Sequence, residues 1–325
     1  MNRLQTEYLG LKLKSPVIIG SSSLTSSLSR MKQAEDCGAG AIIMKSLFEE
    51  QINYSIASVP DSSGYPEASD YISWYIRNNA VDEYLELISE ASSSLEIPVI
   101  PSINCSSSDT WIEFAKKVET AGAAAIEINM FYLPTDGKIT APEVENQYFR
   151  LIERLVSKIT IPISLKIGQR FSNILYMVGQ FYNRGVKGVV MFNRFYEPDI
   201  DPDELAIIAA PVFSTVEEMR YVIRWIAMAS AMDIKINISA STGVRSGNDV
   251  IKYLLAGADT VQVCSVLYQK GIPFLRSIHD GINSWMDKKG FDKVSDFRGK
   301  LNYSSIEKAN LFERTQFMRH FSSHD

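Results

Sequence analysis

A serine, two lysines, three asparagines and two turns of small residues each stand directly after a short apolar run in this 325-residue chain. In chain order they are Ser21, Lys45 followed by Ser46, Asn104, Asn129, Lys166, Asn193, Ser241-Thr242-Gly243 and Cys264-Ser265. A lysine at the end of an apolar strand is poorly hydrated and wants an anionic or strongly polar partner. Small residues leave backbone N–H groups open to an anion, and a following helix adds its positive end. The last two turns therefore suit a phosphate. The plain alternative for the lysines is internal salt bridging, to Glu127 for example.

The apolar runs are rich in Val and Ile and number eight: Pro16–Ile19, Ala41–Met44, Pro98–Ile103, Ala124–Met130, Pro162–Ile167, Gly188–Phe192, Ile234–Ser239 and Thr260–Cys264. Between them lie amphipathic segments such as 109–121 and 143–158, with apolar residues at helical spacing. Strand and helix alternating eight times predict an α/β fold, a TIM (β/α)8 barrel. A single domain is expected over 1–325, with a core of about 9–301 and a polar C-terminal tail, 302–325. Cys37-Gly38, Ala121-Gly122, Arg184-Gly185 and Ala256-Gly257 each end a helix just before a strand, as glycine at a helix C-terminus does. A doubly wound sheet would favour a dinucleotide turn after the first strand, and Gly20-Ser21-Ser22-Ser23-Leu24 is not one. Leu9–Leu13 alternates like one arm of an N-terminal hairpin capping the barrel bottom. The stretch 49–80 predicts a long loop after strand 2, over the barrel top.

In such a barrel, ligands bind at the C-terminal ends of the strands, so all the residues named first share one rim. Lys45 and Lys166 beside a phosphate turn suit a ligand with both a phosphate and a delocalised ring anion. Reduced flavin mononucleotide (FMN) is such a ligand, and a lysine near its N1/C2 carbonyl edge stabilises the negative charge there.

Composition narrows the alternatives. Thirty-three basic against 38 acidic residues give a net charge of −5, and the basic residues are scattered, so no nucleic-acid footprint is visible. No apolar stretch is long enough for a membrane span and the start lacks a signal-peptide core, which predicts a cytoplasmic protein. Three separated cysteines offer no zinc or iron–sulfur pattern, and all three histidines fall within the last fifty residues, so no metal site is expected. Asp199–Glu204 has acidic residues at calcium-loop spacing, but Ala210 stands where the closing glutamate belongs. Met219, Val222, Ile223 and Ile226 form a stripe expected to be core.

In the same order, the motifs resemble those of the FMN-dependent dihydroorotate dehydrogenases and their dihydropyrimidine dehydrogenase relatives, from Leu9 to Leu301. Gly38–Ser46 is similar to the family's second-strand segment ending in a flavin-contacting Lys-Ser. Ser102–Cys105 resembles its third-strand end, and Glu127-Ile128-Asn129 the E-L-N that opens the substrate loop. Leu165-Lys166 matches the second flavin lysine, and Phe192-Asn193 the asparagine after strand six. Thr242–Asp249 and Val261–Ser265 are similar to the two phosphate segments, and Asp296–Leu301 to the closing D-F-x-G-x-L. The resemblance implies FMN held by Ser21, Lys45, Ser46, Asn104, Asn129, Lys166, Asn193, Thr242, Gly243, Cys264 and Ser265. It also implies a homodimer, and leaves room for an electron-transfer partner chain.

The chain departs from the family where substrate is handled. The loop after E-L-N, whose Cys or Ser takes the substrate proton, here reads Met130-Phe131-Tyr132-Leu133-Pro134. Tyr132 occupies the base position, and a phenol of pKa ~10 is a weak base but a good hydrogen-bond donor. Arg194 follows Asn193 where Ser or Thr is usual, and Val212-Phe213-Ser214-Thr215 replaces a Gly-Ser-Gly turn. The expected function is an FMN oxidoreductase acting on the CH–CH bond of a small, pyrimidine-like substrate, anionic or neutral. In it Asn129 and Asn193 hold the substrate, Arg194 pairs its charge, and Tyr132 and Lys166 are the catalytic candidates. A flavin-binding homologue with a binding or regulatory role is the alternative, and a Schiff-base lyase using Lys166 is a third.

Overall fold

The structure, a computed structural model, describes residues 3–48, 81–104, 110–194, 197–209, 211–307 and 310–313. The predicted loop 49–80 and Cys105 lie outside them. Eight parallel staves close into a barrel. They are β3 (Val17–Ile19), β4 with β5 (Ile42–Ile43, Leu47–Phe48), β6 with β7 (Val99–Ile100, Ser102–Asn104), β8 (Ile126–Met130), β9 (Ile163–Ile167), β10 (Gly188–Met191), β13 (Asn237–Ser241) and β14 (Thr260–Val263). Pro101 interrupts the third stave, because proline donates no ladder hydrogen bond. Its first half pairs with β4 and its second with β8, which closes the circle. The expected TIM barrel is therefore present. The seventh stave starts three residues later than expected, at Asn237, because 230–234 is still the turn out of the preceding helix.

Alternate residues along each stave face opposite sides. Ile126, Ile128, Ile163, Leu165 and Ile167 face outward into the core beneath the helices, whereas Glu127, Asn129, Ser164 and Lys166 face the barrel axis. Helices are delimited as their sequences dictate. Ala141–Val156 opens on a Thr140/Glu143 capping box with Pro142 in its first turn, and Ile174–Asn183 is capped by the Asn173 side chain. Gly38, Gly122, Gly185 and Gly257 all have positive φ, as the four helix-ending motifs predict. Helices Gly247–Ala256 and Phe274–Lys289 cross where a Cβ on Gly247 would stand 2.6 Å from Ile278 O, a contact that only glycine admits.

The bottom of the barrel is plugged by the antiparallel hairpin of β1 (Thr6–Tyr8) and β2 (Leu11–Leu13), as the Leu9–Leu13 alternation predicts. Tyr8, Leu9 and Leu13 are fully buried against Ile18, Ile43 and Ile100. Each such side chain contributes about 1.5–3 kcal/mol on burial. After the sixth stave the chain makes a second hairpin, β11 (Pro198–Asp201) with β12 (Ala206–Ala209), and the acidic stretch 199–204 runs from its first strand into its turn. Met219, Val222 and Ile226 of the predicted stripe are buried, and Ile223 packs against the same core. No helix among the described residues is long and apolar enough to cross a membrane.

Candidate active site at the barrel mouth

Register places three of the sequence-predicted residues in one ring. Asn104 of β7 faces Asn129 of β8, which faces Lys166 of β9. Asn193, just beyond β10, donates its Nδ2 to Asn129 Oδ1 at 2.7 Å, so the two asparagines act as a pair. One layer lower, Ser102, Glu127 and Ser164 are in register on the same staves. Ser21 Oγ, Ser46 Oγ and Ser102 Oγ form a hydroxyl chain at 2.9 and 2.7 Å across the first three staves. Lys45 stands on the same rim between β4 and β5, but it is exposed and does not line the cleft around Lys166.

That cleft runs along the ends of the staves. Ser21, Lys166, Asn193, Arg194, Thr242, Gly243, Cys264 and Ser265 line a cavity of about 260 Å³. Asn193 and Arg194 also line a second cavity of about 330 Å³, with Phe131, Arg170 and Tyr221. The two cavities therefore adjoin at Asn193 and Arg194.

At one end lies the turn after the seventh stave. Thr242 has φ +88° and Gly243 φ +79°. A β-branched residue in the left-handed region is a true outlier, held here by its surroundings. The buried Tyr253 phenol donates to Thr242 O at 2.7 Å. Gly243 N–H donates to Ser214 Oγ at 3.1 Å, and a Cβ at Gly243 would stand 2.8 Å from Thr215 O. Ser214, within the segment that replaces a Gly-Ser-Gly turn, bonds to Ser265 Oγ through both its N–H and its hydroxyl, at 3.2 and 3.1 Å. Arg245 reaches Ser214 O and Gln269 from below. Two hydroxyls and a kinked backbone thus converge at this end.

In the middle, Lys166 is only 9% exposed, and the acceptor of its ammonium is Gln262 Oε1, 3.3 Å away. Gln262 Nε2 donates in turn to Glu127 Oε2 at 2.5 Å. Between Lys166 and Glu127, the pair named as the plain salt-bridging alternative, an amide relay stands in place of a direct contact, because the two side chains lie one layer apart on neighbouring staves. Burial raises the Glu127 carboxyl above the usual range, while Lys166 and then the Gln262 bond oppose the rise. Burial also pushes the Cys264 thiol up.

Two candidates sit differently from expectation. The Arg194 guanidinium is already engaged, with Nε to Glu218 Oε2 at 3.0 Å and its two terminal nitrogens to Val212 O and Pro211 O at 2.8 and 2.9 Å. It braces the far cleft wall, since only a planar fork reaches all three acceptors. Phe131 lines the cavity beside Asn193 and also a further one, which Tyr132, packed against the outer core, lines with Leu133 and Tyr148. Alternation explains this, because consecutive residues leaving a strand point to opposite sides.

Sequence reasoning missed Gln262, Tyr253 and Tyr268. Gln262 had a readable signal, a lone polar residue at an axis-facing position within Val261-Gln262-Val263. Tyr268, which accepts from Ser23 N at 2.9 Å and closes the cleft edge, had none.

A buried lysine, an asparagine pair and a turn with two positive φ values thus stand together at the mouth of a (β/α)8 barrel. The sequence profile of the dihydroorotate dehydrogenase family matches residues 3–286, and the chain belongs to that family. It is 24% identical over 309 residues to a dihydroorotate dehydrogenase B (NAD(+)) catalytic subunit of Thermoplasma acidophilum, covering 92% of this chain and 99% of that protein. The corresponding protein of Methanocaldococcus jannaschii is 26% identical, with 88% and 94% covered. The chloroplastic dihydropyrimidine dehydrogenase (NADP(+)) of Arabidopsis thaliana is 25% identical, with 89% and 75% covered.

Proposed function

We propose that this protein is an FMN-dependent oxidoreductase acting on the CH–CH bond of a small, pyrimidine-like substrate. The observation that carries the reading is Lys166, a buried ammonium in the cleft wall with, among the described residues, a single 3.3 Å acceptor and capacity for more. It stands between the Thr242–Gly243 turn and the Asn129–Asn193 pair, which matches a ligand with a phosphate at one end and a polar ring at the other. FMN fits the donor set. Ser214, Ser265 and the backbone at Gly243 would hold the phosphate, Lys166 the electron-rich edge of the ring, and Ser21 and Asn104 the ring's flanks. Bound there, FMN would supply the hydride acceptor.

The chain's own residues supply the rest. Asn129 and Asn193 present amides that orient a ring bearing carbonyl and N–H groups, the functional groups of a pyrimidine. Phe131 contributes an apolar wall, and Arg194 holds residues 211–212 so that Phe213 and Ser214 keep the cleft narrow and exclude water. With its guanidinium so engaged, Arg194 meets substrate as a fixed positive charge rather than as a free fork.

Purified protein should carry, or take up, FMN and show its visible absorbance. Anaerobic mixing with a panel of dihydropyrimidines should bleach that band, and Lys166→Met should slow the bleaching by about 10²-fold or more. A protein that takes up no FMN refutes the proposal. One that binds FMN but stays oxidised across the panel refutes the enzyme and leaves a flavin-binding protein. We also propose a homodimer, to be read from the solution mass.

A further inference from the structure

Below Lys166 the barrel axis holds a polar layer for which the proposed reaction has no use. Its centre is Glu127, fully buried, with Oε2 bonded to Gln262 and Oε1 without a hydrogen-bond partner among the described residues. Around it the hydroxyls of Tyr8, Ser164, Ser239 and Thr260 are buried, with Ser164 and Ser239 beside the Tyr8 phenol. An ionised carboxylate in such a place needs a compensating charge. The titratable groups that face it are Lys166, Tyr8 from the plug, Tyr84 from the helix over 81–94, and Cys264. Burial raises both phenols and the thiol, so these stay neutral, and Lys166 is the charge that Glu127 has.

The amide between them is polar in a fixed sense. Its NH₂ end meets the carboxylate and its carbonyl end meets the ammonium, so Glu127 holds Gln262 and Gln262 holds Lys166. A negative charge brought to Lys166 from the cleft competes with Glu127 for the same cation, and the carboxylate, with no second partner, loses part of its compensation.

We propose that Glu127 is a positioning residue for Lys166, and that it takes up a proton from solvent at Oε1 when negative charge arrives at Lys166 from the cleft. The nature of that charge rests on the FMN reading above. The coupling itself rests on the Glu127–Gln262–Lys166 chain.

The first test needs no FMN. In protein labelled with ¹³C at the glutamate carboxyls, with Glu127→Gln assigning the signal, Glu127 should titrate above the ordinary ~4.3 of a glutamate. Lys166→Met should raise its proton affinity about tenfold further. Titration in the ordinary range, or indifference to Lys166→Met, overturns the proposal. The second test follows the midpoint potential of FMN-loaded protein from pH 5.5 to 9 with dithionite as reductant. Wild type should show a break in slope that Glu127→Gln lacks, and Gln262→Leu, which keeps the carboxyl but removes the bridge, should displace it. Identical profiles in all three refute the role of Glu127 while leaving FMN binding intact. A protein that takes up no FMN refutes the function proposed above, and the carboxyl titration still decides this one.

Discussion

Replacing Tyr253 by Phe removes one oxygen and nothing else from the turn that ends the seventh stave. The phenol is buried and gives Thr242 O its 2.7 Å hydrogen bond. Leaving that carbonyl without its donor costs about 1–3 kcal/mol. Unfolding entropy of ~2.1 cal/mol/K per residue over 325 residues amounts to about 0.7 kcal/mol/K, so the melting temperature should fall by about 1.5–4.5 °C. The larger effect should be on ligand affinity. Thr242 at φ +88° stores about 1–3 kcal/mol of backbone strain, and without Tyr253 the turn can relax out of the shape that faces the cleft. Ligand binding must then restore that shape, and each 1.4 kcal/mol of restoring work weakens binding tenfold. Fluorescence titration of apoprotein with FMN should show a Kd raised about tenfold, alongside the modest melting shift by calorimetry. Adding Thr242→Gly should recover most of the affinity, because glycine adopts the same φ without strain. An unchanged Kd in Tyr253→Phe, or no recovery in the double variant, refutes the view that a strained turn is clamped for ligand.

Other outcomes follow from the same geometry. Gly188→Ala puts a Cβ 2.6 Å from Leu9 Cδ2 and should destabilise the protein by about 1–3 kcal/mol in denaturant titration, by lifting the plug. Arg194→Lys cannot reach Glu218, Pro211 O and Val212 O together, so protease should cut the 198–212 segment faster and FMN should bind more weakly. Burial, and then Lys14, hold the His279 imidazole below its ordinary pKa, against the opposing pull of Asp280 and the Cys37 backbone. The unfolded chain therefore binds the proton more readily, and the stability His279 contributes is complete above about pH 6.5 and lost as pH falls toward the folded value. The denaturation midpoint of wild type should drop more between pH 7.5 and 5.5 than that of His279→Gln, and equal drops would count against this assignment.

Much of this architecture is legible in the sequence, for local reasons. Strand runs and helix-ending glycines are set by steric preference within a few residues, so the eight staves and the four junctions could be read directly. The rim followed from the fold's one-sidedness: whatever comes after a parallel strand is at the same end as every other such residue. Ser21, Asn104, Asn129, Lys166, Asn193, Thr242 and Ser265 were found together on that basis.

What the chain could not reveal by inspection was which way a side chain turns and who already holds it. Tyr132 looked like a proton-handling group because of its place after E-I-N, yet strand alternation turns it to the outer core and presents Phe131 instead. Arg194 read as a free cation, but Glu218 and two carbonyls from a segment 17–18 residues away engage it. Lys45 and Lys166 look equivalent in sequence, yet one is exposed and the other buried. The Glu127–Gln262 bond spans 135 residues of chain, and no local preference of either residue foretells it. Local sterics determined the staves and the rim, whereas barrel closure, which brings the fourth and eighth staves within hydrogen-bond reach across the axis, decided which charges meet.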